Sequence, residues 1–333
     1  EADEAVLVAR ENFTQIFDVF ISTRAGSYVF LEGAHGIGKS TFCSEYSPLT
    51  PSLEYFATYS FASGRNDINT VQMAQPKEFV NWLNAKVSKL ITQSPGRLIS
   101  EEYSGLIRET EGLLKRAGEE FRSRGKTGVL FIDGIDEVAK HSKDMLTVFI
   151  GLLPQLVPTG LVVILSAPSY RQFSGLLSRR LNTNACISIP ALSANESREV
   201  CLRAIKEERY SILTQQIICE RAQGHPLYLR YLIDLANTGT DDNGLSALPL
   251  IEGSIRNYYE AVWAGLQDDA EVVNLLSIIT RLRWGISVTQ FTDILNPAEQ
   301  AVLVSTISRL QHLLLKPNET TIYHASFSEF LQE

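Results

Sequence analysis

Two stretches of the chain are apolar almost from end to end: "GVLFID" at 128–133 and "GLVVILSA" at 160–167. A strand with one wet face alternates apolar and polar residues, because successive side chains point to opposite faces. These runs do not alternate, so each requires cover on both faces. Each is strand-sized, is entered through glycine and is rich in β-branched residues, as central strands of a parallel sheet are. "SYVFLEG" (27–33) and "EYFATYSF" (54–61) read as two more strands, and "ACISIP" (185–190) as a shorter fifth. Helical patterns separate them. Phe13, Ile16, Phe17, Phe20 and Ile21 mark a helix over 12–23, and further helices are predicted over about 76–92, about 101–124 and within "MLTVFIGLLPQL" (145–156). Strands alternating with helices define a doubly wound α/β domain.

The pattern changes at Ile189–Pro190, after which helices dominate. "SANE" (193–196) is a capping box, predicting a helix through about Glu208. A second helix is expected to end at Gly224, and Pro226 is placed to begin a third. "TGTDDNG" (238–244) has the composition of a linker. Helices follow near 250–266, 269–283, 287–295 and 297–311. "LLLKPNETTIYHA" (313–325) then reads as two short strands joined by a turn at Pro317–Asn318, so the chain is expected to end in a winged helix.

One stretch fits neither a helix interior nor a core. "LEGAHGIGKST" (31–41) has three glycines within six residues, followed by a lysine and two hydroxyls. It contains G-x-x-x-x-G-K-[ST] in full, with a predicted strand before it and a helix expected to begin near Lys39. Such a loop curls so that consecutive backbone N–H groups face one point, which suits phosphate. Gly33, Gly36, Ile37, Gly38, Lys39, Ser40 and Thr41 are therefore the expected phosphate cradle. Lys39 is expected on the β- and γ-phosphates, and the Ser40 hydroxyl on Mg²⁺. His35 falls at a position that the pattern leaves free.

The second half of such a site is an acid at a strand's end. "VLFIDGIDE" ends its apolar run at Asp133, with Asp136 and Glu137 just beyond. Asp133 is expected to bind Mg²⁺ directly or through water, and Asp136 or Glu137 to orient or deprotonate an attacking water.

These residues resemble the NACHT form of P-loop NTPase, in the STAND class of molecular switches. The acidic segment matches that family's second motif: hydrophobic strand, Asp, small residue, hydrophobe, Asp, Glu. "VARENF" (8–13) resembles the short segment that closes over adenine, which would give Arg10 a role there. "GHPLYL" (224–229) resembles the Gly-x-Pro motif, whose proline, here Pro226, would pack on adenine. "YHASFSEFL" (323–331) resembles the segment closing the family's winged helix, whose histidine, here His324, would touch the β-phosphate of ADP. The resemblance implies a nucleotide-binding domain over 1–190, a helical lid over 191–240 and a winged helix over 245–333, with the nucleotide between the first and the other two. It also implies an ATP/ADP switch that opens and homo-oligomerises on a trigger ligand, joined to effector and sensor domains in an immune or antiviral protein. One departure stands out. Where the family has Ser or Thr, Arg, Pro after its fourth strand, "LSAPSYR" (165–171) has Ala167 in place of the arginine, with Arg171 four residues on. Slow hydrolysis is the expectation. Two other readings fit the same motifs: an AAA+ or Orc/Cdc6-type ATPase whose winged helix binds DNA, and a decayed P-loop scaffold.

Length and charge set outer bounds. A chain of 333 residues is long for one core. The net charge of −8 argues against bulk nucleic-acid binding, and "RLRW" is the only basic cluster near the winged helix. Cys43, Cys186, Cys201 and Cys219 form no CxxC pair and read as buried thiols of a reducing compartment. No signal peptide or bilayer-length apolar run is present, so a cytoplasmic location without a membrane partner is expected. The chain begins without Met and stops inside a helical pattern, as a segment of a longer protein would.

Overall fold

The computed structural model describes residue 8 and residues 10–61, 67–92, 100–181, 183–205, 211–251, 254–282, 286–314, 320, 322 and 324–333. The chain divides into two compact units. One, the sheet unit, comprises Arg10–Gly33 and Gly38–Pro190. The other, the helical unit, includes Ala191–Glu333 together with the four residues Ala34–Ile37.

The sheet unit runs α1 (Glu11–Ser22), β1 (Ser27–Glu32), α2 (Lys39–Glu45), β2 (Leu53–Ser60), α3 (Asp67–Met73), α4 (Pro76–Leu90), α5 (Tyr103–Ser123), β3 (Thr127–Asp133), α6 (Ile135–His141), α7 (Lys143–Leu152), β4 (Leu161–Ala167), α8 (Ser174–Leu177) and β5 (Cys186–Ser188). The five strands are all parallel, in the order β2-β3-β4-β1-β5. β4 is buried along its whole length and β3 from its second residue on, as their unbroken apolar runs require. Alternate β3 residues serve opposite faces. Phe131 meets Phe17 of α1 and Phe42 of α2, whereas Leu130 and Ile132 join Phe79, Leu114 and Phe149 from α4, α5 and α7. Helices therefore cover both faces of the parallel sheet, an α/β fold of P-loop type.

The helical unit continues with α9 (Ala194–Ala204), α10 (Ile212–Ala222), α11 (Pro226–Asn237), α12 (Asp242–Ala247), α13 (Arg256–Ala264), α14 (Ala270–Arg281), α15 (Val288–Thr292), α16 (Pro297–Leu310) and α17 (Ala325–Gln332). Its main core gathers Tyr228, Tyr231, Tyr258, Tyr259, Leu276 and Phe327. A second core joins Leu275, Ile279, Phe291, Leu295, Leu303 and Ile307 of α14, α15 and α16, and an antiparallel bridge pairs Leu314 with Ile322 beside it. Three helices and a bridged pair around one core make a winged-helix arrangement.

Several expectations need correction. The capping box at Ser193 forms, with Ser193 Oγ accepting from the Glu196 amide and Glu196 returning to the Ser193 amide, but α9 stops at Ala204. The last residues of that predicted helix, 206–208, lie outside the described residues. The expected linker at 238–244 is partly helix, because the Asp241 carboxylate accepts from the Gly244 amide at 2.8 Å and caps α12. The helix expected from 250 begins at Arg256. Helices α3 and α6 were not anticipated. The turn at Pro317–Asn318, Tyr323 and the last two residues of "RLRW" lie outside the described residues.

Candidate nucleotide-binding site

Parallel strands end at one edge, so the carboxyl ends of β1, β2, β3 and β4 share it. The glycine-rich loop leaves β1 there. Gly33 N donates to Pro168 O at 3.3 Å, which ties the start of the loop to the residue after β4. Gly38 precedes α2 with φ +94°, a conformation that favours glycine, and Lys39 is the first residue of the helix. The Lys39 ammonium donates to Gly33 O at 2.7 Å, spanning the loop. Burial lowers its pKa, and the attraction of Asp136 and then Asp133 opposes that shift.

β4 lies between β1 and β3, so its last residues stand between the loop strand and Asp133. Asp133 is 1% exposed, and neighbouring strands hold both its oxygens. Ser166 of β4 donates to Oδ1, and Ser60 of β2 donates to Oδ2 at 3.0 Å. The Ser166 hydroxyl in turn accepts from Gly134 N at 3.1 Å. Two donors from flanking strands fix the carboxylate plane.

Asp136 and Glu137 sit in the first turn of α6. Burial raises the Asp136 carboxyl above its ordinary value, against the pull of Lys140 and Lys39. Lys140 Nζ lies 3.8 Å from Asp136 and 3.1 Å from Glu137. One carboxylate held in place, one with a raised pKa and a half-buried ammonium share a single sheet edge, the condition for separating metal-binding and proton-handling roles.

The remaining candidates are placed as follows. Ser40 and Thr41 follow Lys39 in α2. Arg10 donates to Pro190 O, at the far end of the sheet unit, and its guanidinium lies 5.8 Å from the Phe13 ring. Gly36 and Ile37 belong to the helical unit's segment, where Leu227 N donates to Gly36 O at 3.3 Å and His225 Nε2 lies 3.0 Å from His35 O. His225 Nδ1 accepts from Tyr228 N at 3.4 Å, leaving Nε2 to carry the proton towards that carbonyl. Pro226 opens α11. His324 caps α17: its Nδ1 accepts from Ser326 N at 3.2 Å and lies 2.7 Å from Ser326 Oγ. Ala167 ends β4 fully buried, and Arg171 is exposed in a 3-10 turn over Tyr170–Gln172.

Sequence reasoning missed Ser60, Ser166 and His225. The only signal for the two serines was a lone hydroxyl near the end of an otherwise apolar strand. For His225 it was a polar residue between the glycine and proline of "GHP".

The donor set fits Mg²⁺, a hard cation that takes few protein oxygens and completes its shell with phosphate and water. A serine hydroxyl and one oriented carboxylate are what it needs, and the described residues contain no cluster of three or more His, Cys, Asp or Glu that would hold a metal alone. Among them no helix is long and apolar enough to cross a membrane.

No protein-family model matches the chain, and no curated protein matches it. Among solved structures it is similar to the Walker-type ATPase PABY2304 of Pyrococcus abyssi, at 14% identity over 98% of this chain and 96% of that one, with a TM-score of 0.44. It is similar to the Orc1 protein of Aeropyrum pernix in complex with DNA, at 14% identity over 99% and 93%, TM-score 0.39. It is also similar to Cdc6p from Pyrobaculum aerophilum, at 13% identity over 100% and 87%, TM-score 0.36. These are Walker-type and Orc/Cdc6 proteins. Similarity this distant says nothing of chemistry.

Proposed function

We propose that the chain is the Mg²⁺-dependent ATP-binding module of a P-loop ATPase. The observation that carries this reading is Asp133, buried at the end of β3 with both oxygens fixed by Ser60 and Ser166, on the sheet edge that also carries Lys39. In this reading Ser40 and Asp133 hold Mg²⁺, which neutralises phosphate charge. The loop amides, with Gly33, Gly38 and Thr41, cradle the phosphates, and Lys39 leaves Gly33 O to pair with them. Asp136 or Glu137 orients or deprotonates the attacking water. Hydrolysis is slow, because Ala167 brings no cation to the γ-phosphate and Arg171 is exposed. An arginine acting on that phosphate is worth orders of magnitude in rate.

Two finer readings share this chemistry. In the AAA+/Orc-type reading the winged helix meets duplex DNA. It asks nothing of His324, whose Nδ1 is engaged in capping its own helix, and so fits the described contacts at least as well. In the NACHT/STAND reading Arg10, Pro226 and His324 close over ADP, and ATP opens the chain for self-association with attached effector and sensor domains. The negative charge of the chain supports this second reading over DNA binding.

The test is equilibrium binding of ATP and ADP, with and without Mg²⁺, to wild type and Lys39→Ala. Loss of the Lys39 cation from two phosphates is expected to weaken binding about 30- to 1000-fold. Unchanged affinity overturns the P-loop reading. Salt-dependent binding of a DNA duplex selects the Orc-type reading. Faster ADP release from His324→Ala selects the switch.

A further inference from the structure

Four cysteines are present, none of them in a disulfide, and two of them meet. Cys201 is buried on α9, Cys219 is half-buried on α10, and their sulfurs lie 3.7 Å apart. They stand only 18 positions apart in the chain, and both belong to the helical unit. A cleft of about 400 Å³ runs beside Cys219, lined also by Arg198, Ile212 and Glu220. Small molecules therefore reach Cys219 and not Cys201.

The four thiols also differ in acidity. The hydrogen bond with Cys201 lowers the Cys219 thiol against the effect of burial, and Arg198 acts in the same direction as the bond. That same bond, together with burial, raises Cys201. Burial raises Cys43, and burial followed by Glu32 pushes Cys186 up to about 11. The thiolate is the nucleophile, so Cys219 is the one reactive sulfur of the four. It stands in contact with a second thiol placed to resolve its oxidised form.

We propose that Cys201 and Cys219 form a redox-active dithiol that a hydroperoxide closes into an intramolecular disulfide between α9 and α10. The Cys219 thiolate attacks one oxygen of the hydroperoxide. The O–O bond breaks, the alkoxide or hydroxide leaves and takes a proton, and Cys219 becomes a sulfenic acid. Cys201 sulfur then attacks Cys219 sulfur as its own proton is lost, the S–OH bond breaks, and water departs. Two thiols and one hydroperoxide give one disulfide, one alcohol or water, and one water. A dithiol reductant reverses the closure by exchange. The cross-link ties α9 to α10 and restricts the unfolded chain across a sequence separation of 18 positions.

The test uses the full reduced chain and hydrogen peroxide, followed by alkylation and peptide mapping without reductant. The expected product is a Cys201–Cys219 cross-linked peptide lighter by two hydrogens, abolished by dithiothreitol, with a higher unfolding temperature for the oxidised chain. In Cys201→Ser the sulfenic acid has no resolving thiol, so dimedone labels Cys219. In Cys219→Ser dimedone labels nothing at Cys201. The proposal is overturned if Cys43 or Cys186 oxidises before Cys219, if wild-type Cys219 proceeds to sulfinic acid with Cys201 still alkylatable, or if only intermolecular disulfides form.

Discussion

The sheet unit and the helical unit solve the same problem by different means. In the first, neighbouring elements share backbone hydrogen bonds. β3 is paired to β2 on one side and β4 on the other, so its register is fixed before any side chain is considered. In the second, each helix satisfies its own backbone, and side chains must decide how helices fit together. They do so with a buried polar network. Tyr258 Oη lies 2.5 Å from His312 Nε2, Tyr259 Oη lies 2.9 Å from Ser326 Oγ, and Tyr228 donates to Pro249 O at 2.7 Å. In the sheet unit Tyr28 and Tyr170 end on carbonyls, of Pro154 at 2.6 Å and Leu181 at 3.1 Å, and Tyr46 ends on Asp18 Oδ1 at 2.5 Å, a carboxylate whose other oxygen accepts from the Leu49 and Thr50 amides. Where the backbone supplies specificity, polar side chains at the strand ends are released for chemistry. Where it does not, the packing depends more heavily on polar side chains.

That contrast predicts which polar residues matter for what. The largest separation is expected at Lys39. Lys39→Ala removes nucleotide binding by the factor given above yet moves folding stability by about 1 kcal/mol or less, because the ladder around Asp133 does not depend on it. Calorimetric unfolding of the nucleotide-free variant checks this, and a large loss of stability would break the contrast.

In the helical unit the expectation reverses. Burial holds the His312 imidazole down at about 4, against an unfolded value near 6.5. The neutral ring therefore favours the folded state above about pH 6.5, and that contribution is lost as pH falls towards 4, since only the unfolded chain takes up the proton. The loss amounts to about 3 kcal/mol. It is measured as the difference in pH-dependent stability between wild type and His312→Gln. Equal slopes would mean that the ring is hydrated in the folded chain.

Tyr258→Phe deletes the partner of His312 Nε2 and leaves that buried ring nitrogen without it, so a loss of about 1–3 kcal/mol is expected with nucleotide affinity unchanged. Denaturant titration and ATP binding on one preparation read both. The smallest effect belongs to a cap. Ser193→Ala removes one arm of the α9 capping box and costs about 1 kcal/mol, seen as a lowered unfolding midpoint.

The same contrast explains what could be read from the sequence. β3 and β4 were visible because burial on both faces keeps polar residues out of all but the ends of each run. The phosphate loop was visible because few other uses place glycines and a lysine at that spacing. α6 was missed because Asp136, Glu137, Lys140 and His141 give it the composition of a solvated turn, although Ile135 and Val138 are buried. α12 was missed because the residues that mark loops, Asp and Gly, are also those that start helices. The partners of Asp133 were out of reach for a topological reason. Ser60 and Ser166 flank it only in the order β2-β3-β4, and a single sequence does not state which strands are neighbours.

Gly36 occupies one of the four positions that the phosphate-loop pattern leaves open to any residue, and here that freedom is only nominal. Its φ is +74°, and an added Cβ would lie 2.7 Å from Leu227 Cδ2 and 2.9 Å from His225 Cε1. Two independent constraints, handedness and a neighbour's bulk, coincide on one hydrogen atom. For protein engineering this makes Gly36 a fuse. A single added methyl group would disturb the seam of α11 with the loop tip while leaving every consensus letter of the motif intact, and a variant library designed from the motif alone would spend its diversity at the least forgiving position in the loop.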